Sequence, residues 1–260
     1  MTPSADASEQ LLQTARTYLA ETRELFRSRG LKISASGTYA SMVVFYAWKQ
    51  EDHADAVLRL GKHRDVQLVA RSMIEGLCQL KWAAGDPEVR PERWRLFGFV
   101  HDWRLMQRNL GAGKEVPPDT RHRIEQGLAA HGHLFEFTDA ARRKQKGKDP
   151  YMPHWSGLSA YRICEAVKGQ KLYDSGYTAF SDWHHWSPGG LLKAVKAEGQ
   201  KRSFPEPTAR DVLGAHVVAF QCLFETMEQA NHQFKLGLDA DLDSLRTGFL
   251  RDMGPAAQAE

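Results

Sequence analysis

The stretch LVARSMIEGLCQLKWAA, Leu68 to Ala84, decides the fold. Val66, Val69, Met73, Leu77, Leu80 and Ala84 recur at three- and four-residue intervals, the spacing that lines up one face of an α-helix. The opposite side is apolar as well, through Leu68, Ile74, Cys78 and Trp82. A helix apolar on both sides is covered on both sides. Among these residues Arg71 and Glu75 stand at i, i+4 and face the same way.

The same period runs along most of the chain, and alternating strand patterns are scarce. It predicts helices from about Ser8 to Arg29, from Tyr39 to Leu60 with Gly61 as its stop, and from Arg64 to Ala84. A fourth is capped by Asp86 and carries ERWRLFGFVHDWRLMQRNL. A fifth starts at Asp119 and passes through HRIEQGLAAHGHLFEF. Shorter helices are expected from Ser159 to Val167 and from Lys171 to Trp186, and a long one from Thr208 to Leu236. The basic, Gly- and Pro-punctuated run from Ala140 to Trp155 reads as an exposed connection, and the irregular stretch after Trp186 as a functional lid or an insertion. The expected architecture is an all-α, single-domain multi-helix bundle. Residues 1–253 form the helical domain, its core about 39–236, and residues 254–260 form a disordered tail.

The 260 residues are 42% hydrophobic and 26% charged, with a formal net charge of +3. That is the make-up of a globular protein, mildly basic, which permits a phosphate-bearing partner without requiring one. The longest apolar run, around Met42 to Trp48, is far short of the ~20 residues that cross a bilayer. The N-terminus lacks the basic and apolar regions of a secretory signal. Cys78, Cys164 and Cys222 are widely spaced in apolar helical contexts, which points to reduced core thiols. The expected location is the cytoplasm, away from membranes.

A second stretch, YDSGYTAFSDWHHWSPGG from Tyr173 to Gly190, concentrates chemistry. At helical spacing Tyr173, Tyr177, Phe180 and His184 form an aromatic row, and Asp174, Thr178, Ser181 and His185 form the row beside it. Asp182 stands three residues before His185. A carboxylate there fixes one imidazole nitrogen and leaves the other free for proton transfer. The bland alternative is a histidine satisfied by a hydrogen bond and packed among tryptophans. Arg71 and Glu75, on a helix covered on both sides, need further polar partners, and Asp182 and His185 are the candidates.

Together these segments resemble a bacterial all-helical family of unknown function, whose members show an Arg-Ser-x-x-Glu helix and a later Ser-x-x-x-His-x-Ser segment. The first motif falls on Arg71, Ser72 and Glu75, the second on Ser181, His185 and Ser187. The resemblance implies a shared polar site and no particular reaction.

Other chemistries find less support. HExxH, CxxC and zinc-spaced Cys/His clusters are absent, so no metal is assigned, although Glu75, Asp182 and His185 have the donor types for a divalent ion. There is no GxSxG elbow to make Ser181 a nucleophile, and no P-loop or Rossmann fingerprint, so no cofactor is expected. Helical ribonucleases of the higher eukaryote and prokaryote nucleotide-binding superfamily pair an Arg with a His four to six residues on. Arg95 with His101, and Arg210 with His216, are similar to that pattern, which also arises by chance. A spacing of six turns the two side chains about 120° apart on a regular helix.

The expectation is a polar pocket where the Arg71/Glu75 helix meets Ser181–Ser187. His185, Arg71, Glu75 and Asp182 would be catalytic there, with Ser181, Ser187 and Ser72 binding. Arg210 and His216 form the alternative catalytic pair. The favoured chemistry is phosphate-directed, on RNA or a small anionic ligand, in the style of a ribonuclease, toxin or defence factor. The alternatives are a non-catalytic anion sensor and a helical scaffold whose polar cluster is structural. A homodimer is compatible with each.

Overall fold

The apolar spacing that opens at Val66 becomes helix α3, Val66–Ala84, in a computed structural model that describes residues 5–28, 37–137, 149–178, 180–181, 196–198, 201–203 and 209–258. Before it lie α1 (Ala5–Ser28) and α2 (Thr38–Leu60), and after it α4 (Arg90–Leu96), α5 (Gly98–Gly111) and α6 (Pro118–His131). α7 (Ala160–Ala166) leads to a helical turn, Gln170–Leu172, which widens into a π-helical turn over Tyr173–Thr178. Two three-residue strands, β1 (Lys196–Glu198) and β2 (Lys201–Ser203), pair antiparallel before α8 (Ala209–Phe234) and α9 (Asp239–Gln258). The class is all-α, as the periodicity requires. Among the described residues no helix is long and apolar enough to cross a membrane.

Packing divides the chain into two compact units. One comprises Met1–Lys81 with Cys164–Glu260, the other Trp82–Ile163.

In the first unit α3 is buried on both sides, through Met73, Leu77 and Leu80 on one stripe and Ile74 and Cys78 on the other. Each such aliphatic side chain contributes roughly 1.5–3 kcal/mol by leaving water. α2 lies antiparallel along α3. Tyr46 hydrogen-bonds to Gln79, the Gln50 amide to the Met73 carbonyl, and His53 faces Ser72. α8 runs parallel to α3, its Glu225 paired with Lys81. α8 is apolar nearly all round, burying Val212, Ala219, Phe220, Leu223, Phe224 and Met227, as a central helix must. The turn after α8 is set by Asn231. Its carbonyl accepts from the Leu238 amide at 2.9 Å and its amide donates to Asp239 at 3.0 Å. α9 then returns along the core, Phe249 stacking on Phe220 with centroids 4.5 Å apart. It runs on to Gln258, so residues 254–258, expected as a disordered tail, are helical.

The second unit departs from the sequence reading at two places. The expected single fourth helix breaks into α4 and α5 at Phe97–Gly98. Glycine is a poor helix interior residue, and the break lets Phe97 turn inward onto Phe135, ring centroids 5.1 Å apart. The fifth helix stops at His131. Beyond a short 3₁₀ turn, Gly132–Leu134, the chain is extended, with Glu136 bridged antiparallel to Tyr151. Phe135 and Phe137 are buried on either side of Glu136. That period-two signature of a strand outweighs the helical spacing before it. Arg104 ties this corner down, donating to Asp149 at 2.8 Å and to the carbonyls of Tyr151 and Met152.

Candidate functional site

Arg71 leaves α3 towards the π-helical turn. Its Nε donates to the Ser181 hydroxyl at 2.9 Å and its Nη2 to the Tyr177 phenol oxygen at 2.6 Å. The guanidinium carbon also lies 4.4 Å from the centre of the Tyr177 ring. The turn is what makes this fit. A π-helical turn is wider than an α-turn, so residues four apart come close to register. Tyr173 and Tyr177 accordingly stack, with centroids 4.7 Å apart and planes 16° from parallel. Ser181 donates back to the Tyr177 carbonyl at 2.5 Å, which fixes its oxygen as an acceptor for Arg71. Behind the turn Gly176 is pressed onto α3, where an added Cβ would come 2.7 Å from the Ile74 Cδ1.

Glu75 sits one turn further along α3. Gln79 donates to it at 3.3 Å, and the Tyr46 hydroxyl donates to Gln79 at 3.0 Å. Burial, and then the charge of Glu75, push the Tyr46 phenol well up. Burial and Glu75 also raise the Tyr177 phenol, against the opposing charge of Arg71. Both tyrosines therefore stay protonated donors near neutrality. Tyr177 accepts from Arg71.

The sequence-predicted residues thus fall into three groups. Arg71 and Ser181 are brought together, and Glu75 lies on the same side of α3. Arg71 and Glu75 form no ion pair among the described residues, the guanidinium being turned to the two hydroxyls. Ser72 is exposed and points the other way, 3.4 Å from the His53 ring. Asp182, His185 and Ser187 lie outside the described residues. Of the alternative pair, the Arg210 side chain also lies outside them. His216 is wholly buried in α8, its Nδ1 2.8 Å from the Val212 carbonyl, and burial depresses its pKa. Arg95 and His101 are apart: Arg95 pairs with Glu92, and His101 stands edge-on to Phe97.

Tyr177, Tyr46 and Gln79 join the site without having been singled out from the sequence. Only Tyr177 had a signal, its place in the aromatic row; Tyr46 and Gln79 depend on how α2 packs. Among the described residues no group of three His, Cys, Asp or Glu could hold a metal ion.

Three arginines of α1 and α2 are paired differently. A cleft of about 530 Å³ between α1 and α2 is lined by Arg16, Arg23, Arg27 and Arg59. There Arg23 pairs with Glu51 at 2.6 Å, Arg59 with Asp55 at 2.5 Å, and Arg16 with Glu9 at 3.1 Å. Arg71, half-buried, has no carboxylate partner among the described residues and is held by neutral hydroxyls. Among the described residues the two hydroxyls take up two of its five N–H donors.

A model of a protein family described as a family of unknown function (DUF5677) matches residues 52–202, more than half of the chain, spanning both Arg71 and Ser181. No curated protein and no solved structure matches the chain.

Proposed function

The chain belongs to this family of unknown function, and we propose that its Arg71 site binds a phosphate-bearing ligand and acts on it, with RNA as the substrate class. The carrying observation is the guanidinium itself, half-buried and positioned by Tyr177 and Ser181, with no carboxylate paired to it among the described residues. A planar fork of N–H donors fits two oxygens of a phosphate, and the Tyr177 O–H supplies a further donor beside it. An anion entering there would pair with the guanidinium.

The chemistry is assigned to His185, four residues beyond Ser181 in the sequence. In this reading it is the general acid/base, with Asp182 or Glu75 holding its tautomer and Arg71 offsetting the charge that develops on phosphorus oxygens. Ser187 is kept as a binding residue of the same proposal, and Ser72, which faces His53, is not. A second reading, an anion sensor without turnover, rests on the same guanidinium and differs only at His185.

The experiment is cleavage of a single-stranded RNA oligonucleotide by the purified protein, followed by gel. Cleavage that His185→Ala abolishes and Arg71→Met weakens supports the enzyme. Oligonucleotide binding that Arg71→Met removes, without cleavage, supports the sensor. Neither binding nor cleavage overturns both readings. Growth inhibition on expression, relieved by His185→Ala, would place the activity among toxins or defence factors.

A further inference from the structure

Two of the three cysteines meet. The Cys78 sulfur of α3 and the Cys164 sulfur of α7 lie 2.9 Å apart across 86 positions, both thiols free and both buried. A disulfide bond is about 2.05 Å long, so closing this gap takes a sulfur movement under about 1 Å. Gly169 lies against the pair. Its amide caps the Cys164 carbonyl at 2.7 Å, and an added Cβ there would stand 3.4 Å from the Cys78 sulfur. Lys168, at a positive φ of 58°, makes the turn that brings this glycine back over the pair.

We propose that Cys78 and Cys164 are an oxidisable dithiol, a modification site at which a peroxide forms an intrachain disulfide. The Cys164 thiolate attacks one peroxide oxygen. The O–O bond breaks, leaving Cys164 as a sulfenic acid and releasing one water once the departing oxygen is protonated. The Cys78 sulfur then attacks the Cys164 sulfur, the S–OH bond breaks, and a second water leaves with the proton of the second thiol. The two thiols lose two electrons in total and the peroxide gains them.

The two sulfurs share one hydrogen bond. Once Cys164 ionises, the Cys78 S–H donates to its thiolate, which lowers the Cys164 pKa, while that hydrogen bond and burial hold Cys78 well up. Access comes through α7, only 7 residues long and ended by the Lys168–Gly169 turn, the kind of short element that opens locally. Cys222, fully buried on α8 and strongly raised by burial, is the internal control.

The bond would join α3, which carries Arg71 and Glu75, to the segment that leads into Tyr177 and Ser181. Oxidation would therefore hold together the two walls of the polar site, whatever that site binds, and the proposal does not rest on the RNA reading. The test uses the purified full-length chain, treated with a few equivalents of hydrogen peroxide, denatured in a thiol-alkylating maleimide and digested for mass spectrometry. The expected result is a Cys78–Cys164 linked peptide with Cys222 alkylated, a raised Tm, and reversal of both by dithiothreitol. Cys222→Ser should form the bond and Cys164→Ser should not. Alkylation of all three cysteines after peroxide, or oxidation only to irreversible acids, would overturn the proposal.

Discussion

The Nε of Arg71 lies 2.9 Å from the hydroxyl oxygen of Ser181, 110 positions later in the chain, and the same guanidinium reaches Tyr177. The contact is built from a helix covered on both sides and a π-turn wedged against it by Gly176 and Ile74. Ser181 is fixed by its own bond to the Tyr177 carbonyl, so it serves Arg71 as an acceptor of set direction. Ser181→Ala removes one of the two side-chain acceptors that Arg71 has among the described residues. It should cost about 1 kcal/mol in urea unfolding with the m-value unchanged. A neutral result would mean that Arg71 is positioned by Tyr177 alone.

Gly176→Ala tests the wedge. The new methyl meets the Ile74 Cδ1 inside a filled interior, and a loss of about 1–3 kcal/mol is expected. Ile74→Val removes that atom, so the cost of Gly176→Ala should shrink in the Ile74→Val background. Equal costs in both backgrounds, read by thermal denaturation in a double-mutant cycle, would show that the two residues do not press on each other.

Much of this was legible in the sequence, for identifiable reasons. The two apolar stripes of α3 showed a helix covered on both sides, and so a charged pair in need of partners; the partners named for it, Asp182 and His185, lie outside the described residues, and Ser181 entered only as a motif position and binding residue. Periodicity stops short where another local signal takes over. Gly98 splits what reads as one helix, and Phe135 and Phe137 alternate about Glu136, so the chain there is extended. Regular helical spacing also gives no warning of the π-turn that stacks Tyr173 on Tyr177. Tyr46 and Gln79 reach the site through packing of α2 on α3, and the meeting of Cys78 with Cys164 is equally a tertiary event. Wide spacing in sequence cannot show it.

Tyr46→Phe deletes the donor to Gln79, whose amide in turn donates to Glu75. The Gln79 oxygen is left without that partner in a half-buried place, and a loss of about 1 kcal/mol is expected in thermal melts. The absorbance titration of the tyrosines should also lose a late step, because burial and Glu75 hold this phenol above the usual tyrosine range. An unchanged high-pH titration would contradict its placement.

His216 gives the pH dependence a sign. Burial lowers its pKa in the folded chain, while the unfolded chain keeps the ordinary value near 6.5. Below that value the unfolded state takes up a proton that the folded state resists. Stability from this group is therefore present above about pH 6.5 and lost as pH falls towards the depressed folded value. Between pH 7.5 and 5.5 the wild-type Tm should fall more steeply than that of His216→Gln. Parallel slopes would show that His216 does not resist protonation in the fold.

The anion site proposed at Arg71 is most directly tested by calorimetric titration of inorganic phosphate into the wild-type chain and into Arg71→Met, with folding of both verified by melting. Saturable binding by the wild type, weakened about tenfold or more by the substitution at a similar Tm, is the expected outcome. Identical affinities, or no phosphate binding by the wild type, would contradict an anion site at Arg71.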